Sequence, residues 1–289
     1  ILRLGGIAIL LTLIIVGTFC LDVSLQFIGL FSAMLVIFVM GLMDDVFGLP
    51  VWFKFIAQIT AIIIAIAFGI HIGQITNPFG GIIILPVFWD YLLSGFWLLL
   101  LINTMNFIDG ADGLAGGITL ITSLTLVALS LTVLVNQPQV AMAALIVAGT
   151  MVGFLVWNWH PAKIFMGDSG SNMLGLILGS LAMIGGAKLA TTALVLGFPI
   201  LDVFWSAIRR WRSGLSPFAP DRLHLHHRLL SLGVPHSQTV LLILGISAVF
   251  GLIALMSGTW VKIITMALAG LLLVLLFRTI FLIQRKKRG

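Results

Sequence analysis

The feature that most constrains this chain is the recurrence, from one end to the other, of apolar runs of roughly 17 to 25 residues joined by short connections. Wound as a helix at ~1.5 Å per residue, each run can cover the ~30 Å of hydrocarbon in a bilayer. A water-soluble fold needs a polar surface. A chain of 289 residues that is 61% hydrophobic and 8% charged, with a mean hydropathy of +1.23, cannot supply one. The expected fold class is all-α: a polytopic transmembrane helical bundle forming one membrane domain over residues 1–289. Spans are expected near residues 5–21, 25–43, 52–70, 89–105, 113–134, 138–157, 170–186, 189–207, 237–257 and 260–282, about ten in all. The 71–88 connection carries Asn77-Pro78 and Gly80-Gly81 before the run Ile82 to Leu85, which predicts a small hairpin on the periplasmic surface. The other long connection covers 208–236.

The only cysteine, Cys20, lies inside an apolar run, so one chain can build neither a disulfide framework nor a cysteine metal site. The first run follows Arg3 directly and the chain opens on Ile1 rather than methionine. A preceding segment, such as a further helix, is therefore expected upstream, and no cleavable signal peptide is recognised.

Alternating the expected spans places Arg3, Lys54, Lys163, Arg209, Arg210, Arg212, Arg222, Arg228, Arg278, Arg285, Lys286, Lys287 and Arg288 on one side. Only Lys188 and Lys262 fall on the other, so the 15 basic residues divide 13 to 2. The rich side is expected to be cytoplasmic, with the C-terminus on it, in a bacterial inner membrane. The terminal basic run and the net charge of +6 suit anionic headgroups. No nucleic-acid motif is present. All nine acidic residues are aspartates, and seven of them (Asp44, Asp45, Asp109, Asp112, Asp168, Asp202, Asp221) fall at or near the same side. They come with Asn, Gly and His in dense clusters, which favours a site over a solvated rim.

Four clusters stand out. Asp44-Asp45 directly follows a span, where the negative end of a helix makes two carboxylates unfavourable without a cation or a solvated turn. Lys54, near the start of the next span, is placed to face the same pocket, or to snorkel at the interface. The second cluster runs from Asn103 through Asn106, Asp109 and Asp112 to Gly117. Its three-residue spacing puts Asn103 and Asn106 on one face and lets four oxygen-bearing side chains converge, although Asp112 is also an ordinary helix cap. The third, Lys163 to Ser171, precedes a span with Phe165, Gly167, Asp168 and Ser169. Small residues there expose helix N–H groups to an anion, and Asp168 offers a hard ligand for Mg²⁺; a capped loop is the competing reading. The fourth, Ser216 to Arg228, holds His224, His226 and His227 between Arg222 and Arg228, a donor surface for phosphate or sugar oxygens. Zinc fits it less well: the run has no cysteine, and a metal would crowd the arginines.

In order and spacing these clusters resemble the polyprenyl-phosphate N-acetylhexosamine-1-phosphate transferases over nearly the whole chain, from Arg3-Leu-Gly-Gly6 to the histidine loop. The stretch Ser216-Pro-Phe-x-Pro-Asp221-Arg222 leading into His224-x-His226-His227 resembles the branch that uses UDP-N-acetylglucosamine. The resemblance implies Mg²⁺, with Mn²⁺ as an alternative, at Asn106 and Asp168, and catalytic importance for Asp44 and Asp45. It also implies a pyrophosphate contact at Lys54, uracil recognition near Asp112 and Phe165, and sugar and phosphate recognition on the histidine loop. We place Asp109 and Lys54 with the catalytic pair, and Asn103 with Arg222, His224, His226 and His227. Gly48 stands where the family's first motif often has a third carboxylate, so none is carried over.

The function expected is transfer of N-acetylglucosamine 1-phosphate from UDP-N-acetylglucosamine to undecaprenyl phosphate, releasing UMP and forming the first lipid-linked intermediate of a cell-envelope glycan. Another UDP-N-acetylhexosamine or UDP-N-acetylmuramoyl-pentapeptide is the alternative donor. Expected partners are the UDP-sugar, the polyprenyl phosphate lipid and the membrane, with a homodimer left open. A secondary transporter would place its polar residues near the midplane and often in repeated halves, and no repeat is found. A CDP-alcohol phosphotransferase needs an arginine that Asp112-Gly113-Leu114-Ala115-Gly116 lacks. A membrane scaffold would leave all four clusters idle.

Overall fold

The computed structural model describes residues 4–77, 79–184, 188–212, 214, 229–231 and 233–288; within the last helix, side chains are described through residue 272 and at 274 and 275. The described chain is helical apart from its connections and one two-stranded hairpin. In chain order the helices are α1 (Gly5–Cys20), α2 (Leu25–Phe47), α3 (Val51–Ala67), α4 (Val87–Ile108), α5 (Leu114–Ser130) and α6 (Pro138–Asn158). They continue with α7 (Gly167–Met183), α8 (Leu189–Val195), α9 (Gly197–Arg212), α10 (His236–Met256) and α11 (Thr259–Arg288). By length and apolar composition, α2, α4, α6 and α10 can each cross a membrane. The helices α1, α3, α5 and the Thr259–Leu272 part of α11 are apolar but shorter.

Two expected boundaries shift. The single span expected at 189–207 is instead the pair α8 and α9, bent by 73°. Gly197 and Pro199 open the second helix, and proline is tolerated in a first turn because its missing N–H has no partner there anyway. Meanwhile α2 runs on to Phe47, so that Asp44 and Asp45 sit in its last turn rather than beyond it. Gly48, with φ of 67°, ends it in the left-handed conformation that suits glycine.

Lipid solvation reverses the usual arrangement of side chains. Leu, Ile, Val and Phe stand exposed along the outer faces, while Ser94, Thr119, Thr122, Ser123 and Ser180 are fully buried between helices. The centre of the bundle is α7, whose residues Ser169 to Met183 are all buried. It lies against α2 and α4 so closely that glycine is needed on both sides. A methyl group on Gly41 would stand 2.5 Å from the Ser169 nitrogen, and one on Gly175 would stand 2.5 Å from the Leu101 carbonyl oxygen.

At one end of the bundle, β1 (Gln74–Thr76) pairs antiparallel with β2 (Ile82–Ile84) through Ile75 opposite Ile83. The start of α4 anchors this hairpin. Asp90, buried, accepts from Gly73 N at 2.8 Å and faces His71 Nδ1 at 2.7 Å, and Ser94 Oγ accepts from Ile72 N at 2.9 Å.

Candidate active site

The opposite end of the bundle gathers the C-termini of α2, α4 and α6 and the N-termini of α3, α5 and α7. The polar clusters at 44–45, 103–112 and 163–171 lie there because they flank these helix ends. Lys54, in the first turn of α3, reaches back to the Asp44 carboxylate with a short contact and across to Asp168 Oδ2 at 3.2 Å. Asp44 Oδ1 also accepts from Leu49 N at 2.7 Å, which folds the α2–α3 turn over the carboxylate. A cation thus lies between two acids on three different helices, and all three side chains are less than a third exposed.

Asp45 does something different from its neighbour. Its Oδ1 accepts from Asp168 N at 3.0 Å, and its Oδ2 accepts from Ser169 N at 3.1 Å and Ser169 Oγ at 2.9 Å. Two of these donors are free N–H groups of the first turn of α7, so a carboxylate of the protein fills the place where the sequence suggested a bound anion. That expectation is corrected: two of the α7 donors are already spent. Gly167, φ 74°, admits this approach, since a side chain there would collide with the Asp45 carboxylate. The two acids that looked unfavourable at the end of α2 are each compensated, one by an ammonium and the other by the positive end of a helix.

The second cluster does not converge on one point. Asn103 Nδ2 donates to Gln58 Oε1 at 3.1 Å and to Leu99 O at 2.8 Å, within the α3–α4 contact. Asn106, one turn later, donates to Ser171 Oγ at 3.2 Å and so faces α7 just beyond Asp168. Asp109 follows the end of α4, and Asp112 lies past the turn, where its Oδ2 accepts from Ala162 N at 3.1 Å and faces His160 Nδ1 at 2.8 Å. The helix stops at Ile108, so three-residue spacing no longer means a shared face after it. Phe165 is half-buried, and its carbonyl accepts from Gly5 N at 3.0 Å, tying α1 to the approach of α7. Asn158 closes the corner by accepting from Gly113 N at 3.0 Å and donating to Ile164 O at 2.9 Å. Arg222, His224, His226 and His227 lie outside the described residues.

A divalent cation of the Mg²⁺ type fits this end. Asp168 supplies a carboxylate, and because Asn106 spends its Nδ2 on Ser171, its amide oxygen is the atom left to offer. Two hard oxygens leave the remaining octahedral positions for water and substrate, as Mg²⁺ prefers.

Residues 27–186 match the model of glycosyl transferase family 4, more than half of the chain. The chain belongs to that family. The matched region holds Asp44, Asp45, Lys54, Asn103, Asn106, Asp109, Asp112, Phe165 and Asp168. Among its relatives, the chain is 38% identical over 232 residues to the decaprenyl-phosphate N-acetylglucosaminephosphotransferase of Mycolicibacterium smegmatis. That match takes in 72% of this chain and 57% of the relative. The chain therefore spans little more than half the length of that protein. It is 31% identical over 261 residues to a probable undecaprenyl-phosphate N-acetylglucosaminyl 1-phosphate transferase of Bacillus subtilis, covering 88% of this chain and 72% of the other. It is also 37% identical over 188 residues to the phospho-N-acetylmuramoyl-pentapeptide-transferase of Moorella thermoacetica, covering 64% and 53% respectively. A family 4 member with apolar helices long enough to cross a bilayer, the protein is a membrane protein.

Sequence reasoning left several participants unnamed. Ser169 and Ser171 figured only among the small residues that open a span, read as exposing N–H groups to an anion or as a capped loop, with no role for their hydroxyls. His160 and His236 carry no spacing signal, since 76 positions separate them. Gln58 looks like an isolated polar residue until α3 packs on α4.

Proposed function

We propose that the protein transfers N-acetylglucosamine 1-phosphate from UDP-N-acetylglucosamine to a polyprenyl phosphate, undecaprenyl phosphate in the first instance, as an integral protein of a bacterial inner membrane with about ten crossings. Family membership and the names of the relatives support the reaction class. The observation that carries the reading is Lys54 held between Asp44 and Asp168 at the start of α7. A cation fixed at the polar end of an apolar bundle is where a lipid phosphate arriving from the membrane can meet a diphosphate arriving from water.

A phosphate oxygen of the lipid attacks the sugar-bearing phosphorus of the donor. The new P–O bond joins the two phosphates, and the bond to the bridging oxygen breaks, releasing UMP. With a second pKa of about 6, the lipid phosphate is already largely ionised at neutral pH, so no dedicated base is required. Mg²⁺, held by Asp168 and Asn106 with Mn²⁺ as an alternative, supplies charge neutralisation at the diphosphate. Lys54 orients the diphosphate, and Asp44 holds Lys54 extended towards it. Asp45 fixes the first turn of α7, and therefore Asp168. Asp109 completes the catalytic set. Asp112 and Phe165 receive the uracil, while Asn103 with Arg222, His224, His226 and His227 receives sugar and phosphate.

Purified protein given labelled UDP-N-acetylglucosamine, undecaprenyl phosphate and Mg²⁺ should yield labelled lipid and UMP in equal amounts. Solute flux into vesicles without any lipid product would overturn this reading. Exclusive use of UDP-N-acetylmuramoyl-pentapeptide would overturn the choice of donor.

A further inference from the structure

Asp112, His160 and His236 come from three parts of the chain, the α4–α5 turn, the turn after α6 and the first residue of α10, and they meet. His160 Nδ1 lies 2.8 Å from Asp112 Oδ2, and His236 Nε2 lies 3.3 Å from the Asp112 carbonyl oxygen. The two rings stack, with centroids 4.2 Å apart and planes 19° apart. Neither oxygen carries a hydrogen when the carboxyl is ionised. His160 must therefore donate from Nδ1 and His236 from Nε2.

The three groups each offer one ligand atom within 4.8 Å of the others, a donor set that zinc accepts elsewhere. The ring geometry argues against a shared ion here. A ligating imidazole points an in-plane lone pair at the metal, and two near-parallel stacked rings direct theirs side by side instead of to one point. The nitrogens facing Asp112 are also spent as donors.

We infer that His160 and His236 are positioning residues that hold Asp112, one by its carboxylate and the other by its carbonyl, and thereby set the affinity for the donor nucleotide. This rests on the proposed place of Asp112 in the nucleotide site. A uracil offers a single imide N–H to an acceptor, so the acceptor has to be held still to be selective. His160 and Ala162 N both occupy Oδ2, which fixes the carboxylate plane and leaves Oδ1 for the ligand. Their two N–H groups also offset the repulsion between this carboxylate and an anionic nucleotide. His236 extends the brace to the first turn of α10, so the corner is held from three segments.

The test compares KM with kcat for UDP-N-acetylglucosamine and follows UMP binding by calorimetry. His160→Phe keeps the stacked ring and loses the donor; it should raise KM and weaken UMP by on the order of tenfold, the worth of a hydrogen bond to a charged group, with kcat and Mg²⁺ dependence little changed. His160→Asn, which returns an N–H near the place of Nδ1, should restore both. His236→Phe and His236→Gln form the second pair and carry the same comparison if His160→Phe does not fold. Asp112→Ala separates the layers. If it leaves UMP affinity intact, the nucleotide reading of Asp112 falls and the inference with it. If it abolishes affinity while both Phe variants bind UMP as the wild type does, the brace alone is overturned. About one Zn²⁺ per chain, retained by the purified protein and lost in His160→Asn, would also overturn it.

Discussion

Asp44 and Asp45 are neighbours in sequence with separate partners, and a carboxylate's surroundings decide what it can do. Asp45 accepts three hydrogen bonds from the start of α7, so its charge is committed to the helix N-terminus. Losing a carboxylate cap costs about 0.5–2 kcal/mol. Asp45→Ala should therefore lower the melting temperature in detergent by several degrees, and should weaken Mg²⁺ because Asp168 loses its support. Asp168→Asn keeps the shape and removes the charge. It should leave the melting temperature near that of the wild type and cut Mg²⁺-dependent turnover on the order of a hundredfold or more, since the proposed ligand of the ion itself is changed. Thermal melting and a Mg²⁺ titration on both variants check the division. Equal loss of turnover with no loss of stability in Asp45→Ala would return Asp45 to the chemistry. The sequence marked the need for a cation or a solvated turn beside the two aspartates and left Lys54 between their pocket and the membrane interface. It had no means to assign Lys54 to Asp44 and the α7 N-terminus to Asp45, because that choice depends on how α7 packs more than a hundred residues later.

At the scale of elements, the apolar runs were legible because hydrophobic length is read directly from composition, and each expected stretch holds a helix or a helix pair. The break between α8 and α9 was not foreseen, although Gly197 and Pro199 marked it. An apolar run carries no periodicity that would report a 73° bend. The close approach of α2 to α7 was likewise hidden, since a glycine in an apolar helix does not say what it faces. Gly41 meets backbone atoms of Ser169, which cannot yield as a flexible side chain could. Gly41→Ala is expected to force α2 from α7 and cost about 1–3 kcal/mol, with activity falling because Asp44 and Asp45 move with the helix. Gly149, in the middle of α6 with nothing within 4 Å of the added methyl, is the control. Gly149→Ala should be neutral or slightly stabilising, since alanine is the better helix former. Paired melting curves decide the matter. Equal behaviour of the two variants would mean that α2 and α7 have room for a methyl group between Gly41 and Ser169.

Across the whole molecule, helix contacts define two ends whose charges differ. The site end joins Asp44, Lys54 and Asp168 through ion pairs, Asn106 to Ser171, and Asp112 to the turn after α6. The far end carries the hairpin on α4, a contact between Asp22 and Gln139 at the start of α6, and Lys188 on Gln137. Among the described residues, Lys54 and Lys163 lie at the site end, and Arg209, Arg210 and Arg212 end α9, which runs towards it; Lys188 opens the far-end turn before α8 and Lys262 donates to Thr191. Translocation of a basic loop is opposed during insertion, so the cation-rich end should remain cytoplasmic, where a UDP-sugar is available. Trp211 and Phe79 are both well exposed, one near the end of α9 and the other in the hairpin turn. In a Cys20→Ser background, Trp211→Cys should resist a membrane-impermeant thiol reagent in intact cells and react after permeabilisation, whereas Phe79→Cys should react from outside at once. Labelling of Trp211→Cys from outside would reverse the orientation, and the candidate site would then lie away from the compartment that holds the proposed nucleotide-sugar donor.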